Sequence, residues 1–178
     1  MSEDRRIRRS RALIREAMLE CLRTTSLDKV TVKQICEMAD INRSTFYAHY
    51  DDPLALYRQM EAEMLAQMDT AVAQYQNQAM PYDQLLVQLL QCFSANSELF
   101  LALMSAGSQS FYEKNISLME RYDQKLINIA PQENRSLATA NYVGGLLSVI
   151  STWIRQGKRQ SVDEMAALIF RLTRNRLS

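Results

Sequence analysis

The sequence predicts an all-α protein, and three observations carry that prediction. Only 4 Gly and 3 Pro punctuate 178 residues, too few for the turns of a sandwich, a barrel or a doubly wound sheet. Apolar side chains recur at spacings of three and four along most of the chain, the period of a helix that buries one face. A hydrophobic share of 47% against 23% charged belongs to an ordinary soluble domain long enough to bury a real core.

The elements follow in order. A first helix spans about 5–25, with Leu13, Ile14, Ala17, Met18, Cys21 and Leu22 on its apolar face. Thr24, Thr25 and Ser26 end it, and Thr31 caps a short second helix through Ile35, Met38 and Ala39. Asp40 breaks the pattern. The run from Asn42 to Tyr50 holds about two turns, and Asp52-Pro53 reads as an N-cap followed by proline at the first helical position. From Leu54 to about Gln78 no Gly or Pro interrupts one long helix striped by Leu56, Met60, Met64, Met68 and Val72. Pro81 opens the next, with Leu85, Leu86, Leu89, Leu90 and Phe93, and a short piece over about 97–104 carries Leu99, Phe100 and Leu103 before Gly107. A helix over about 109–129 presents Phe111, Tyr112, Ile116, Met119, Tyr122 and Ile127 and stops before Pro131. Residues 132–156 form a helix ended by Gly157, and Ser161 with Glu164 stands in capping-box register for the last one, striped by Met165, Leu168, Ile169 and Leu172. About nine helices and no strand result, in a head over 1–50 and a body over 51–178.

Composition narrows the function classes. Cys21, Cys36 and Cys92 are odd in number and far apart, which argues against a disulfide scaffold and for a reducing compartment. No apolar run reads as a bilayer span, and the N-terminal arginines are not followed by the apolar stretch of a secretory signal, so the sequence reads as cytoplasmic. The first fifteen residues hold six arginines against two acids, among them Arg5, Arg6, Arg8, Arg9 and Arg11. Such a cluster suits a phosphate backbone, a solvated terminus or, less well, anionic lipid. The single histidine, His49, offers no convergent acid–base set. Cys36 with His49 is a remote thiol–base pair, and no Cys or His pair has metal-ligand spacing. Neither an enzyme nor a metal site is expected.

Two short helices joined by a tight turn read as a DNA-binding module when the second has one core face and one free face. At about 100° per residue from Arg43, Phe46 and Tyr50 fall on one apolar side, at roughly 300° and 340°, with Ser44, Thr45 and Ala48 opposite. Small, hydroxylated residues let a helix approach base edges, Arg43 reaches guanine O6 and N7, and Tyr47 and His49 flank the face as phosphate donors. Thr31, Lys33 and Asn42 complete the candidate contacts. The alternative is a solvated helix with incidental polar residues.

Residues 31–56, TVKQICEMADINRSTFYAHYDDPLAL, resemble the DNA-binding region of the TetR family of bacterial transcriptional regulators, most tellingly in STFYAHY followed by D-x-L-x-L. The resemblance covers about residues 10–57. It departs from the family at Asp40, where glycine is usual, and at Asp51 and Pro53, where lysine is favoured near phosphate; the N-terminal arginines are available to compensate. The resemblance implies a double-stranded DNA operator, a homodimer joined through the last two helices, a small-molecule effector in the body and no cofactor. It places effector contacts among Phe93, Phe100, Met104, Phe111, Tyr112, Met119, Tyr122 and Tyr142, each of which taken singly reads better as ordinary core. Gly144-Gly145 within a helix fits a close helix pair at a subunit interface. The resulting expectation is a repressor released from a near-palindromic operator by a small molecule. An activator of the same fold, or a helical interaction protein without DNA binding, is the alternative.

Overall fold

The computed structural model describes residues 2–77, 80–105, 109–122 and 132–174, which form nine α-helices, two 3-10 turns and no strand. The chain divides into two compact units, Met1–Glu63 and Met64–Ser178.

In the first unit α1 (Ser2–Thr24) packs on α2 (Val32–Ala39), and α2 meets α3 (Arg43–Tyr47). The apolar face predicted for α1 is buried at Ile14, Ala17, Met18 and Cys21, and it shares the unit's core with Val30, Ile35, Cys36, Ala39, Phe46 and Leu56. Thr31 begins α2 with a reciprocal capping box. Its hydroxyl accepts from the Gln34 amide at 3.3 Å, and its own N–H donates to Gln34 Oε1 at 2.9 Å. Asp40 stops α2 in the left-handed conformation, φ 51° and ψ 50°, where an aspartate is one of the few non-glycine residues tolerated. Asp52 caps the long α4 (Pro53–Gln76), its Oδ1 accepting from the Ala55 amide at 2.7 Å. The boundary between the two units falls within α4.

In the second unit α5 (Tyr82–Ala95) and α6 (Ser97–Ser105) meet at an 85° bend. Asn96 makes the corner, with its backbone N–H and its carboxamide both donating to Cys92 O, at 3.1 and 2.8 Å. Phe93, Phe100 and Phe111 interlock there at ring separations of 4.7 and 6.2 Å. α7 (Gln109–Tyr122) packs on α8 (Arg135–Arg155), and α9 (Val162–Arg174) packs on α5. The rest of the helix predicted to 129, with Ile127, Gly107 and Pro131, lies outside the described residues. α8 ends where Gly157, at φ +79°, lets the Lys158 amide return to Trp153 O at 3.0 Å. α9 opens with the predicted Ser161–Glu164 box, at 2.8 and 3.2 Å.

Three expectations are corrected. By length and composition α8 is apolar enough to cross a membrane, with a mean hydropathy of 1.3. Its Val143, Leu147, Ile150, Trp153 and Ile154 are buried in this unit. Gly144 makes a close approach within the chain: a Cβ there would meet the Tyr112 hydroxyl at 3.0 Å, whereas one on Gly145 would meet nothing within 4 Å. The stripe of α9 is only partly buried. Met165, Ala166 and Ile169 go inside, but Leu172 is 50% exposed, on the edge it shares with Tyr142, Leu146 and Val149.

Candidate nucleic-acid interface

The candidate interface rests on how α3 is held. Phe46 has no exposed surface, and its ring lies 5.7 Å from Tyr47, edge to face, and 5.9 Å from Tyr50. Burying Phe46 fixes the rotation of α3 and leaves Arg43, Ser44 and Tyr47 exposed, Tyr47 by 55%. Thr45 is half-buried. The helix is shorter than its sequence run: Ala48 caps it, and His49 and Tyr50 follow in a turn whose amides both donate to Phe46 O, at 2.9 and 3.0 Å. His49 therefore stands just beyond the helix, half-buried.

Asn42 starts α3. Its Oδ1 accepts from the Thr45 amide at 2.8 Å, and the hydroxyls of Ser44 and Thr45 reach the same oxygen at 2.7 and 2.8 Å. Asn42, Arg43, Ser44, Thr45 and Tyr47 thus form one contiguous patch. Thr31 and Lys33 belong to the N-cap and first turn of α2, where Lys33 pairs with Glu37 at 3.7 Å and Thr31 serves the capping box. On α1, Arg5, Arg6, Arg8, Arg9 and Arg11 are exposed along the helix. Arg8, Arg11 and Arg15 line a groove of about 470 Å³ with Tyr50, Gln59 and Glu63. Arg15 is ion-paired with Glu63, which also accepts from Gln59 at 2.9 Å. Burial pushes the Glu63 carboxyl upward, but the hydrogen bonds from Gln59 and Arg15 and the Arg15 charge outweigh it and hold the group below its ordinary value.

The effector candidates divide by burial. Phe93, Phe100 and Phe111 are closed into the core at 1%, 0% and 1% exposure. Tyr112 is half-buried and donates to Ala140 O at 2.6 Å. Tyr142, also half-buried, hydrogen-bonds Tyr82 and lines a cavity of about 120 Å³ with Gly145, Leu146, Val149, Ile169 and Leu172. Met104 and Met119 are half-buried, and the side chain of Tyr122 lies outside the described residues. A larger cleft of about 600 Å³ lies between α4 and α7, lined by Leu65, Asp69, Ser110, Glu113, Lys114 and Leu118. Sequence reasoning singled out none of those, because charged and small residues on helices read as a solvated face.

Comparison with known proteins adds the lineage. Residues 82–175 match the TetR-type profile described as a transcriptional regulator C-terminal region. No curated protein matches the chain. Among solved structures the chain is similar to a TetR transcriptional regulator of Streptococcus agalactiae, with TM-score 0.65 and 19% identity over 97% of this chain and 98% of that one. It is similar to NalD of Pseudomonas aeruginosa, the secondary repressor of the MexAB-OprM multidrug efflux pump, with TM-score 0.60 and 16% identity over 98% and 97%. DhaS, a dihydroxyacetone kinase operon activator, gives TM-score 0.61 and 14% identity over 92% and 93%. Identities this low speak to fold alone.

Proposed function

This chain belongs to the TetR family of transcriptional regulators, and from that premise we propose that it represses transcription as a homodimer on a near-palindromic operator and is released by a small molecule. The observation that carries the DNA-binding part is the rotation of α3, with Phe46 buried and Arg43, Ser44 and Tyr47 outward. Arg43 donates to guanine O6 and N7; Tyr47 and His49, with Thr31 and Lys33 on α2, contact phosphates. One helix reads few base pairs, so a twofold pair of helices reaches useful specificity.

The dimer contact in this reading uses α8 and α9, supported by the apolar edge of Leu146, Val149 and half-exposed Leu172. The effector lies in the body. Met104, Tyr112, Met119 and Tyr142 are its candidate contacts, with Tyr122 added from the sequence and Phe93, Phe100 and Phe111 as the wall behind. Effector binding shifts the population toward a spacing of the two heads that DNA does not accept. Activation on the same fold is the second reading; the position of the operator relative to the promoter separates the two.

The test is fluorescence anisotropy of a labelled duplex titrated with the full chain at several salt concentrations. Binding that weakens linearly in log–log form with salt is expected. Arg43→Ala then loses about 1–3 kcal/mol on the preferred sequence only, whereas Tyr47→Phe weakens every duplex alike. No salt-dependent binding would leave a helical interaction protein, and equal losses for Arg43→Ala on preferred and random DNA would remove its reading role.

A further inference from the structure

The hydroxyl protons on α3 are already assigned. Asn42 Oδ1 accepts from the Thr45 backbone N–H at 2.8 Å. An N–H only donates, so the side-chain atom facing Thr45 is the carbonyl oxygen and not the amide nitrogen, and the orientation of the carboxamide follows from chemistry. The same oxygen lies 2.7 Å from Ser44 Oγ and 2.8 Å from Thr45 Oγ1. A carbonyl oxygen only accepts. Both hydroxyls must therefore donate to it, and each hydroxyl has a single proton. What Ser44, exposed, and Thr45, half-exposed, offer outward is lone pairs.

We infer that Ser44 and Thr45 meet DNA as hydrogen-bond acceptors, so that α3 selects a base presenting an amino group in the major groove, adenine or cytosine, and that Asn42 is the positioning residue that sets this polarity. The inference rests on the reading that α3 enters the major groove. There adenine N6 and cytosine N4 are donors, whereas guanine O6 and N7 and thymine O4 are acceptors that would face lone pair to lone pair. Phosphate oxygens are acceptors too, so these two hydroxyls do not serve as backbone anchors. Arg43, which has donors only, has the opposite preference. The face of α3 therefore asks for a guanine under Arg43 and an adenine or cytosine under the hydroxyl pair, a pattern that residue types alone do not specify, because a free serine or threonine accepts or donates equally well.

The experiment uses the full chain and the duplex it prefers from a random pool. Each adenine or cytosine of a half-site is replaced in turn by purine or 2-pyrimidinone, which lack the amino group. At one position the wild type is expected to weaken about three- to tenfold, the worth of one hydrogen bond. A chain with both Ser44→Ala and Thr45→Val should show no such dependence there. Asn42→Ser keeps an N-cap oxygen for the Thr45 amide but cannot hold both hydroxyl protons. It should lose the preference for adenine or cytosine over guanine and thymine by a similar factor, read as the ratio of affinities for the two duplexes, so that any general change in binding cancels. Duplex binding that ignores every amino deletion, or an Asn42→Ser chain with the preference intact, overturns the inference and leaves the DNA-binding reading standing. Absence of any duplex binding overturns both.

Discussion

Tyr57 and Tyr50 place hydroxyls in the first unit's interior with no hydrogen-bond partner among the described residues. Burial, with the Glu61 charge adding to it, pushes the Tyr57 hydroxyl from 10.0 to about 12. The folded chain then holds this proton more tightly than the unfolded one. Its contribution to stability is complete below pH 10 and is lost as pH rises from 10 through about 12. Tyr57→Phe should be neutral or slightly stabilising at pH 7, since it removes a buried polar group that nothing satisfies, by no more than about 1–3 kcal/mol. It should also flatten the fall in urea midpoint between pH 10 and 12. A wild-type midpoint that is itself flat across that range would contradict the account. At this scale much was legible. The break at Asp40 and the cap at Asp52 are legible in the sequence and stand in the structure. The three-way acceptance at Asn42 was not, because a sequence gives donor and acceptor types but not the rotamers that commit their protons.

Among the elements, α8 separates two glycines that the sequence treats as a pair. The Tyr112 ring fills the space over Gly144, and its hydroxyl donates to Ala140 O one turn earlier. Gly144→Ala should therefore destabilise the second unit despite the better helix propensity of alanine, worth about 1 kcal/mol, and Tyr112→Phe in the same chain should recover part of the loss. Denaturant unfolding measures both; an alanine that stabilises at 144 would show that Tyr112 yields freely. Gly145 borders open space beside Leu146, Val149 and Leu172, so Gly145→Glu should leave helical content intact. In sedimentation it should shift the chain toward monomer if this edge joins two copies. Helix existence and caps were readable from spacing, Gly, Pro and Ser–Glu signals. The shortness of α3 was not, since its last turn is a tertiary choice made when Phe46 and Tyr50 go inside. Nor was the side of α8 that Gly144 faces, because a glycine pair signals a close approach without naming the partner.

For the whole molecule, the N-terminal arginines test whether affinity is electrostatic. Arg5, Arg6 and Arg9 are exposed on α1, outside the lining of the groove that holds Arg8, Arg11 and Arg15. Replacing the three by glutamine keeps helix propensity and should make the slope of log affinity against log salt shallower by about 1–3 units per protomer. An unchanged slope would make them a solvated stretch. The all-helical architecture was legible from composition and period. The 600 Å³ cleft between α4 and α7 was not, because a cleft is made by helices distant in sequence whose lining residues look solvent-facing one at a time. The central claim is that two copies of α3 read a twofold-related pair of half-sites. Selection of duplexes by the full chain from a random pool tests it most directly. The account predicts an enriched inverted repeat, bound at least about 10³-fold tighter than random DNA, in which Arg43→Ala relaxes the base preference at one position of each half-site. Recovery of no common sequence, or of a single unrepeated one bound by a monomer, would contradict it.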